Sequence, residues 1–275
     1  MQKLEGAVAV VTGAASGIGR SLALRLARAG CQLALADIDA GGLGETVAAA
    51  RQAGSRATAH RVDVSALDQM TAFRDTVLGE HGGVDLLINN AGVALLGTVE
   101  EVSLDDIRWL VDINFWGVVH GAKLFLPALK QRPEAHIVNI SSVFGLIAPS
   151  GNAAYCASKF AVRGFSESLA HELAGSNVRV STVHPGGIRT PIVTHARAAA
   201  GVGNAQRDDV ITRFEQAART TPDAAAERIL RGIRRNEKRI LIGGDARFLD
   251  GLQRLLPVRY WNVLGRLFPS DAAPP

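Results

Sequence analysis

Tyr155 and Lys159 stand four residues apart in the run Tyr155-Cys156-Ala157-Ser158-Lys159. On a helix that spacing puts both side chains on one face, about 5–6 Å apart. Tyrosine is a poor base near neutral pH, with an ordinary pKa of about 10. An ammonium at that distance favours the phenolate by roughly 3 kcal/mol at an effective dielectric near 20, or about two pKa units. The pair is therefore expected to exchange a proton with an alcohol or a carbonyl near working pH. Ser142 lies upstream, at the end of the apolar run Ile137-Val138-Asn139-Ile140, and offers a hydroxyl to the same oxygen. The spacing alone also fits a solvated helix face, so its meaning rests on the remainder of the chain.

Bringing these side chains together takes strands, turns and helices, and the apolar pattern supplies them. Short continuous apolar runs predict buried strands at about 7–11, 32–36, 57–62, 84–88, 136–141, 178–184 and 239–242. Helical periodicity falls between them, at about 17–29, 42–53, 66–80, 104–111, 114–131, 152–174 and 221–235. Strand and helix in alternation imply a parallel sheet with helices on both faces. The first strand runs into Thr12-Gly13-Ala14-Ala15-Ser16-Gly17-Ile18-Gly19 and then a helix. Glycines there allow close backbone approach, and the helix start offers amides and a positive dipole end to a pyrophosphate. Their spacing is G-x-x-x-G-x-G, not G-x-G-x-x-G. Asp37 ends the second strand, where an acidic residue grips a ribose diol in dinucleotide folds and repels a 2′-phosphate; Ile38 adds no positive charge. Asn89-Asn90-Ala91-Gly92 after the fourth strand reads as a structured turn at the ligand-binding edge. Asn114 opens an apolar stretch, as a helix cap, a buried polar filler or a catalytic group.

Composition narrows the class. The 275 residues are 47% apolar and 20% charged, with net charge +4. That is a globular balance with a full core. No basic stripe interleaves with aromatics, which argues against nucleic-acid binding. Cys31 and Cys156 are the only cysteines and have no partners at metal-ligand spacing, and no His-Glu-x-x-His pattern occurs, so no metal is expected. A reduced, cytoplasmic protein without a signal peptide is the expectation.

Four motifs stand in one order: Thr12 to Gly19, Asn89 to Gly92, Ser142 with Tyr155-x-x-x-Lys159, and Pro185-Gly186. Together they resemble the short-chain dehydrogenase/reductase family, from about Lys3 to Ile242. The resemblance implies an α/β, Rossmann-type, doubly wound sheet of seven parallel strands in a single domain, and a homodimer or homotetramer. It implies Tyr155 as general acid/base, Lys159 on the nicotinamide ribose, Ser142 on the substrate oxygen and Asn114 holding a water in a proton relay. Gly13, Ser16, Gly17, Ile18 and Gly19 would cradle the dinucleotide, with Asp37 on the adenosine ribose and Asp63 and Val64 at the adenine. Asn90, Ala91 and Gly92 would line its channel, and Pro185, Gly186, Ile188 and Thr190 would surround the carboxamide. NAD is expected over NADP because of Asp37.

The expected activity is hydride transfer between NAD(H) and a secondary alcohol or ketone. The wall Val93, Leu95, Leu96, Phe144, Leu146 and Ile147 is apolar and carries no arginine or lysine, which suits a steroid-, retinoid- or hydroxyketone-like substrate, though some of these residues must pack the core. A 3-oxoacyl thioester reductase is one alternative, against which Asp37 argues; a non-catalytic dinucleotide-binding regulator is another, free to lose the Tyr, Lys or Ser that are all present. Residues 190–220 read as a substrate lid carrying His195 and Arg197. Residues 1–245 are expected to form the catalytic domain and 246–275 an extension. From Phe248 to Phe268 the extension mixes Leu252, Leu255, Leu256, Trp261, Leu264 and Leu267 with Arg247, Arg254, Arg259 and Arg266. It reads either as an interfacial membrane helix or as a helix packed on protein.

Overall fold

The computed structural model describes residue 1 and residues 3–267. Phe268, and the extension beyond it to 275, lie outside the described residues. The chain runs β1 (Val8–Thr12), α1 (Gly17–Arg28), β2 (Gln32–Asp37), α2 (Ala40–Gln52), β3 (Ala57–Arg61), α3 (Leu67–His81), β4 (Leu86–Asn89), β5 (Leu95–Leu96) and α4 (Leu104–Val111). A π-turn (Asp112–Trp116) leads into α5 (Gly117–Leu129), followed by β6 (Ala135–Ile140), a 3-10 turn (Val143–Gly145), α6 (Ala153–Glu172) and β7 (Val178–Pro185). Then come β8 (Arg197–Ala198), α7 (Asn204–Ala217), α8 (Pro222–Arg234), β9 (Arg239–Ile242), α9 (Gly244–Leu255) and α10 (Tyr260–Leu267).

Seven strands form one sheet in the order β3-β2-β1-β4-β6-β7-β9, every pair parallel. The expected Rossmann-type sheet is thus the observed one. Strand periodicity explains its two cores. Ala9 and Val11 of β1 face one side with Leu33, Leu35, Ile88 and Val138, against Leu22 and Leu26 of α1 and Ile229 and Ile233 of α8. Val8 and Val10 face the other with Leu87, Ile137 and Val180, against Phe73 of α3 and Phe125 of α5. With both faces covered, the central strands β1, β4 and β6 are buried throughout, whereas the edge strands β3 and β9 alternate. Strand order reverses between β1 and β4, which opens a crevice at their C-terminal ends.

Three local features differ from the expectation. The stretch expected as one helix from Asn114 begins with a π-turn, because Asn114 is fully buried and both ends of its amide are bound off the helix. The weakly periodic segment 190–220, expected as a lid, contains α7, a helix with no buried residue, which is why no apolar stripe marks it. β5 and β8 form a separate two-residue parallel pair, Leu95 with Arg197 and Leu96 with Ala198.

Candidate active site

β6 ends at Ile140, and Ser142 follows in extended backbone (φ −162°, ψ 166°) before the 3-10 turn. Ser142 Oγ accepts from Phe144 N at 3.1 Å. The strand end is pinned to α6 on two counts: Ser141 Oγ donates to Lys159 O at 2.8 Å, and Lys159 Nζ donates to Ile140 O at 3.2 Å. Tyr155 occupies the first turn of α6 and Lys159 the next, so the helix aims both at Ser142. The ammonium nitrogen lies 5.7 Å from the Tyr155 ring centre, and the Ser142 hydroxyl stands close enough to the phenol to lower its pKa. Asn114 reaches the group from the π-turn. It accepts from Val93 N at 2.8 Å and donates to Val93 O at 3.0 Å and to Ser158 Oγ at 3.2 Å. Gly92 lets this loop close in, since a Cβ there would stand 3.0 Å from Asn114 Oδ1 and 3.3 Å from Lys159 Nζ.

The electrostatics correct the expectation drawn from spacing. Burial pushes the Tyr155 phenol up to about 12, and the Ser142 hydroxyl only partly opposes it. Burial pulls Lys159 down to about 8. Desolvation penalises both charged forms, and here it outweighs their mutual attraction. The protein alone therefore holds Tyr155 as a neutral acid near pH 7.

The crevice between β1 and β4 fits a dinucleotide. Ser16 precedes α1 with no side-chain capping bond, and the first turn holds no acidic residue, so the helix start faces the crevice with its amides and dipole. Gly17 has φ +54°, and a Cβ there would crowd Thr190 at 3.1 Å. Gly19 has no room at all, since its Cβ would lie 1.9 Å from Gly13 O. Ile18 is partly buried beside these glycines. Asp37 stands at the tip of β2, where Oδ2 accepts from Ala15 N at 2.8 Å and Oδ1 from Asp39 N at 3.0 Å. Asn90 Nδ2 donates to Thr12 O and Gly13 O, which fastens the 90–92 turn, with Ala91 in it, to the glycine turn. Thr190, bonded back to Ile188 O, rests over Gly17. Pro185 closes β7, while Asp245 holds Gly187 N at 2.7 Å and crowds Gly186. Asp63 spends Oδ1 on Ser65, and Val64 packs into the core with its carbonyl bound to His120.

The apolar wall divides. Leu95, Leu96, Leu146 and Ile147 are buried as core, whereas Val93 and Phe144 are only partly buried. The Phe144 and Tyr155 rings meet edge to face, centres 6.2 Å apart. His195 is exposed. Arg197 ties its segment to α4: its guanidinium lies 3.7 Å over the Trp109 ring and donates to Asp106 at 2.9 Å. The same segment borders an open cavity of about 430 Å³ lined by Arg189, Thr190, Pro191 and Phe214. The C-terminal arm forms the far wall. Tyr260 Oη accepts from Ala148 N at 3.2 Å, and Leu264 packs against Val143 and Ile147.

Four supporting residues escaped the reading of the sequence. Thr12 Oγ1 accepts from Asn90 N and Ala91 N, and Ala15 N anchors Asp37. His184 Nδ1 donates to Ser142 O at 2.9 Å, with burial pulling its pKa down to about 4. Tyr260 buttresses the serine loop. Thr12 stands inside the first motif and was open to inference; the other three depend on contacts from 22 to 112 residues away.

The short chain dehydrogenase family model matches residues 7–201. SadH of Mycobacterium tuberculosis is 42% identical over 266 residues, which cover 96% of this chain and 96% of that protein. The 1-deoxy-11-beta-hydroxypentalenate dehydrogenase of Streptomyces exfoliatus is 38% identical over 205 residues, 73% of this chain and 74% of its own. Among solved structures, a short chain dehydrogenase/reductase from Burkholderia phymatum in complex with NAD matches with a TM-score of 0.85 at 32% identity, over 100% of both chains.

Proposed function

The chain belongs to the short-chain dehydrogenase/reductase family and is an NAD(P)-dependent oxidoreductase, and we propose that it exchanges a hydride between NAD(H) and an apolar secondary alcohol or its ketone. The observation that carries this reading is the gathering of Ser142, Tyr155 and a buried Lys159, its ammonium 5.7 Å from the phenol ring centre, at the mouth of the dinucleotide crevice. When bound, the nicotinamide ring supplies the hydride acceptor or donor, and its oxidised form brings a positive charge that favours the phenolate. Tyr155 exchanges the proton with the substrate oxygen, which Ser142 steadies through its hydroxyl. Lys159 would hold the nicotinamide ribose, and Asn114, which fixes the loop at Val93, would hold a water for proton relay. A phenol kept neutral by burial is ready to protonate a ketone at pH 7, so the oxidative direction gains rate as pH rises. Phe144 and Val93 exclude water beside it.

An apolar substrate suits the wall of Val93 and Phe144, and the relative from Streptomyces exfoliatus is named for dehydrogenating a hydroxy compound. Preference for NAD over NADP rests on Asp37, with exposed Ile38 beside it providing no cation for a 2′-phosphate. Residues 1–245 form the catalytic domain, with 190–220 as its lid and 246–275 as an extension. The protein works in the cytoplasm as a homodimer or homotetramer, with a peripheral membrane contact through residues 246–268.

NADH formation from NAD is the test, with secondary alcohols graded from small hydroxyketones to steroids and retinol. Tyr155→Phe should lose about 100- to 10,000-fold in turnover while binding NAD as before. A Tyr155-dependent rate that climbs with apolar size supports the reading; turnover that survives in Tyr155→Phe sinks it.

A further inference from the structure

The α9–α10 corner carries a concentration of exposed apolar surface. Phe248, Leu255, Leu256, Val258 and Trp261 are all exposed there, Leu255 at 82% and Val258 at 88%. Five large apolar side chains open to water within fourteen residues is unlike the scattered exposure of single residues elsewhere, such as Ile38 or Leu67. Helix geometry arranges part of them. Phe248 and Leu255 are seven residues apart, nearly two turns, and so line up along one flank of α9. Arg247 and Arg254, also seven apart and exposed, line up on the adjoining flank. Arg259 is exposed past Pro257, next to Val258 and Trp261. The opposite side of α9, through Ala246 and Leu249, packs on the serine loop and is not available.

Charge selects the occupant. Between residues 246 and 265 the only carboxylate is Asp250, which is buried and bound to Arg239 and Arg254. Asp245, in the first turn of α9, is held by Gly187 N, so from Arg247 onward the exposed corner presents arginines and hydrocarbon. A second copy docking there about a two-fold axis would set arginine against arginine. An anionic lipid surface instead pairs with the arginines and accepts the apolar side chains, with the aromatic Trp261 at the headgroup level. Among the described residues no helix is long and apolar enough to cross a membrane, so the contact is peripheral.

We infer that the α9–α10 corner docks the protein on an anionic lipid surface, Leu255, Val258 and Trp261 entering the interface with Arg247 and Arg259 on the headgroups. This deepens the membrane contact proposed above and rests on it. Its location matters because the same two helices wall the loop that holds Ser142, so docking would turn the substrate side towards the lipid.

The test is flotation of the full chain with vesicles of phosphatidylcholine alone, or mixed with phosphatidylglycerol. Leu255→Asp with Val258→Asp serves as the variant, its fold checked by circular dichroism and thermal midpoint. Neither cofactor nor substrate is needed, so failure of the hydride-transfer reading would leave the result intact. Expected are binding to the mixed vesicles, weakening with salt, and at least about a tenfold lower partition for the variant. No flotation with anionic vesicles, or equal flotation of the variant, overturns the proposal. So does a mass in solution that halves in the variant without any vesicle binding, which would assign the corner to contact between copies.

Discussion

Asp37 joins two functions in one carboxylate. It ties down the glycine turn through Ala15 N, and it stands where a ribose diol would be gripped. Replacing it should therefore do two things. Asp37→Ala with Ile38→Arg should move the NADP-to-NAD ratio of kcat/KM towards NADP by at least about tenfold. It should also weaken both dinucleotides somewhat, because Ala15 N loses its acceptor. Steady-state kinetics with each cofactor separate the two effects, and an unchanged ratio would remove Asp37 from the ribose. At this scale the sequence was informative about identity and poor about energetics. The types and spacing of Tyr155, Lys159 and Ser142 nominated them only together with the glycine turn, Asn89 to Gly92 and Pro185-Gly186. The direction of the Tyr155 shift was not, because spacing conveys the ammonium's distance but not the burial that acts on both groups.

Among the elements, the long strands and helices were legible because each buries an apolar run or stripe. The π-turn was not. It forms because Asn114 satisfies Val93, a residue twenty-one positions earlier, and no local pattern records that bond. The β5–β8 pair escaped for a related reason: two residues are too short to show any period. The C-terminal arm was legible as amphipathic, yet which surface its apolar side covers became visible only in the packing of Leu264 on Val143 and Ile147. That contact yields a prediction at the scale of the element. Leu264→Ala should cost about 2–3 kcal/mol of local packing. The arm then loosens from the serine loop, amide exchange at residues 143–148 rises, and kcat/KM for the ketone falls several-fold. NAD affinity should hold, since the crevice lies on other elements. Hydrogen exchange and a cofactor titration on the same variant would check both halves, and a loss of NAD binding would show that the arm supports the whole fold and not the loop.

The whole molecule carries a pH liability in its buried imidazoles. His136 and His184 are fully buried, and burial pulls their pKa values down to about 3 and about 4. Both remain neutral in the folded chain below the pH at which the unfolded chain takes up protons, near 6.5. The unfolded state therefore binds more protons, and stability falls as pH drops from 6.5 towards 4. Each imidazole contributes about 2 kcal/mol of that loss between pH 7 and pH 5. Urea midpoints at the two pH values should show it, and His184→Gln should reduce the difference by roughly one such share; an unreduced difference would mean that His184 is charged when folded. The tie at Arg197 has a consequence of an optical kind. A guanidinium seated on the Trp109 ring gives that indole a surrounding distinct from those of Trp116 and Trp261. Should residues 190–220 open as the proposed lid, the cation would leave the ring, and a stopped-flow instrument would read the passage of a substrate as a change in intrinsic fluorescence.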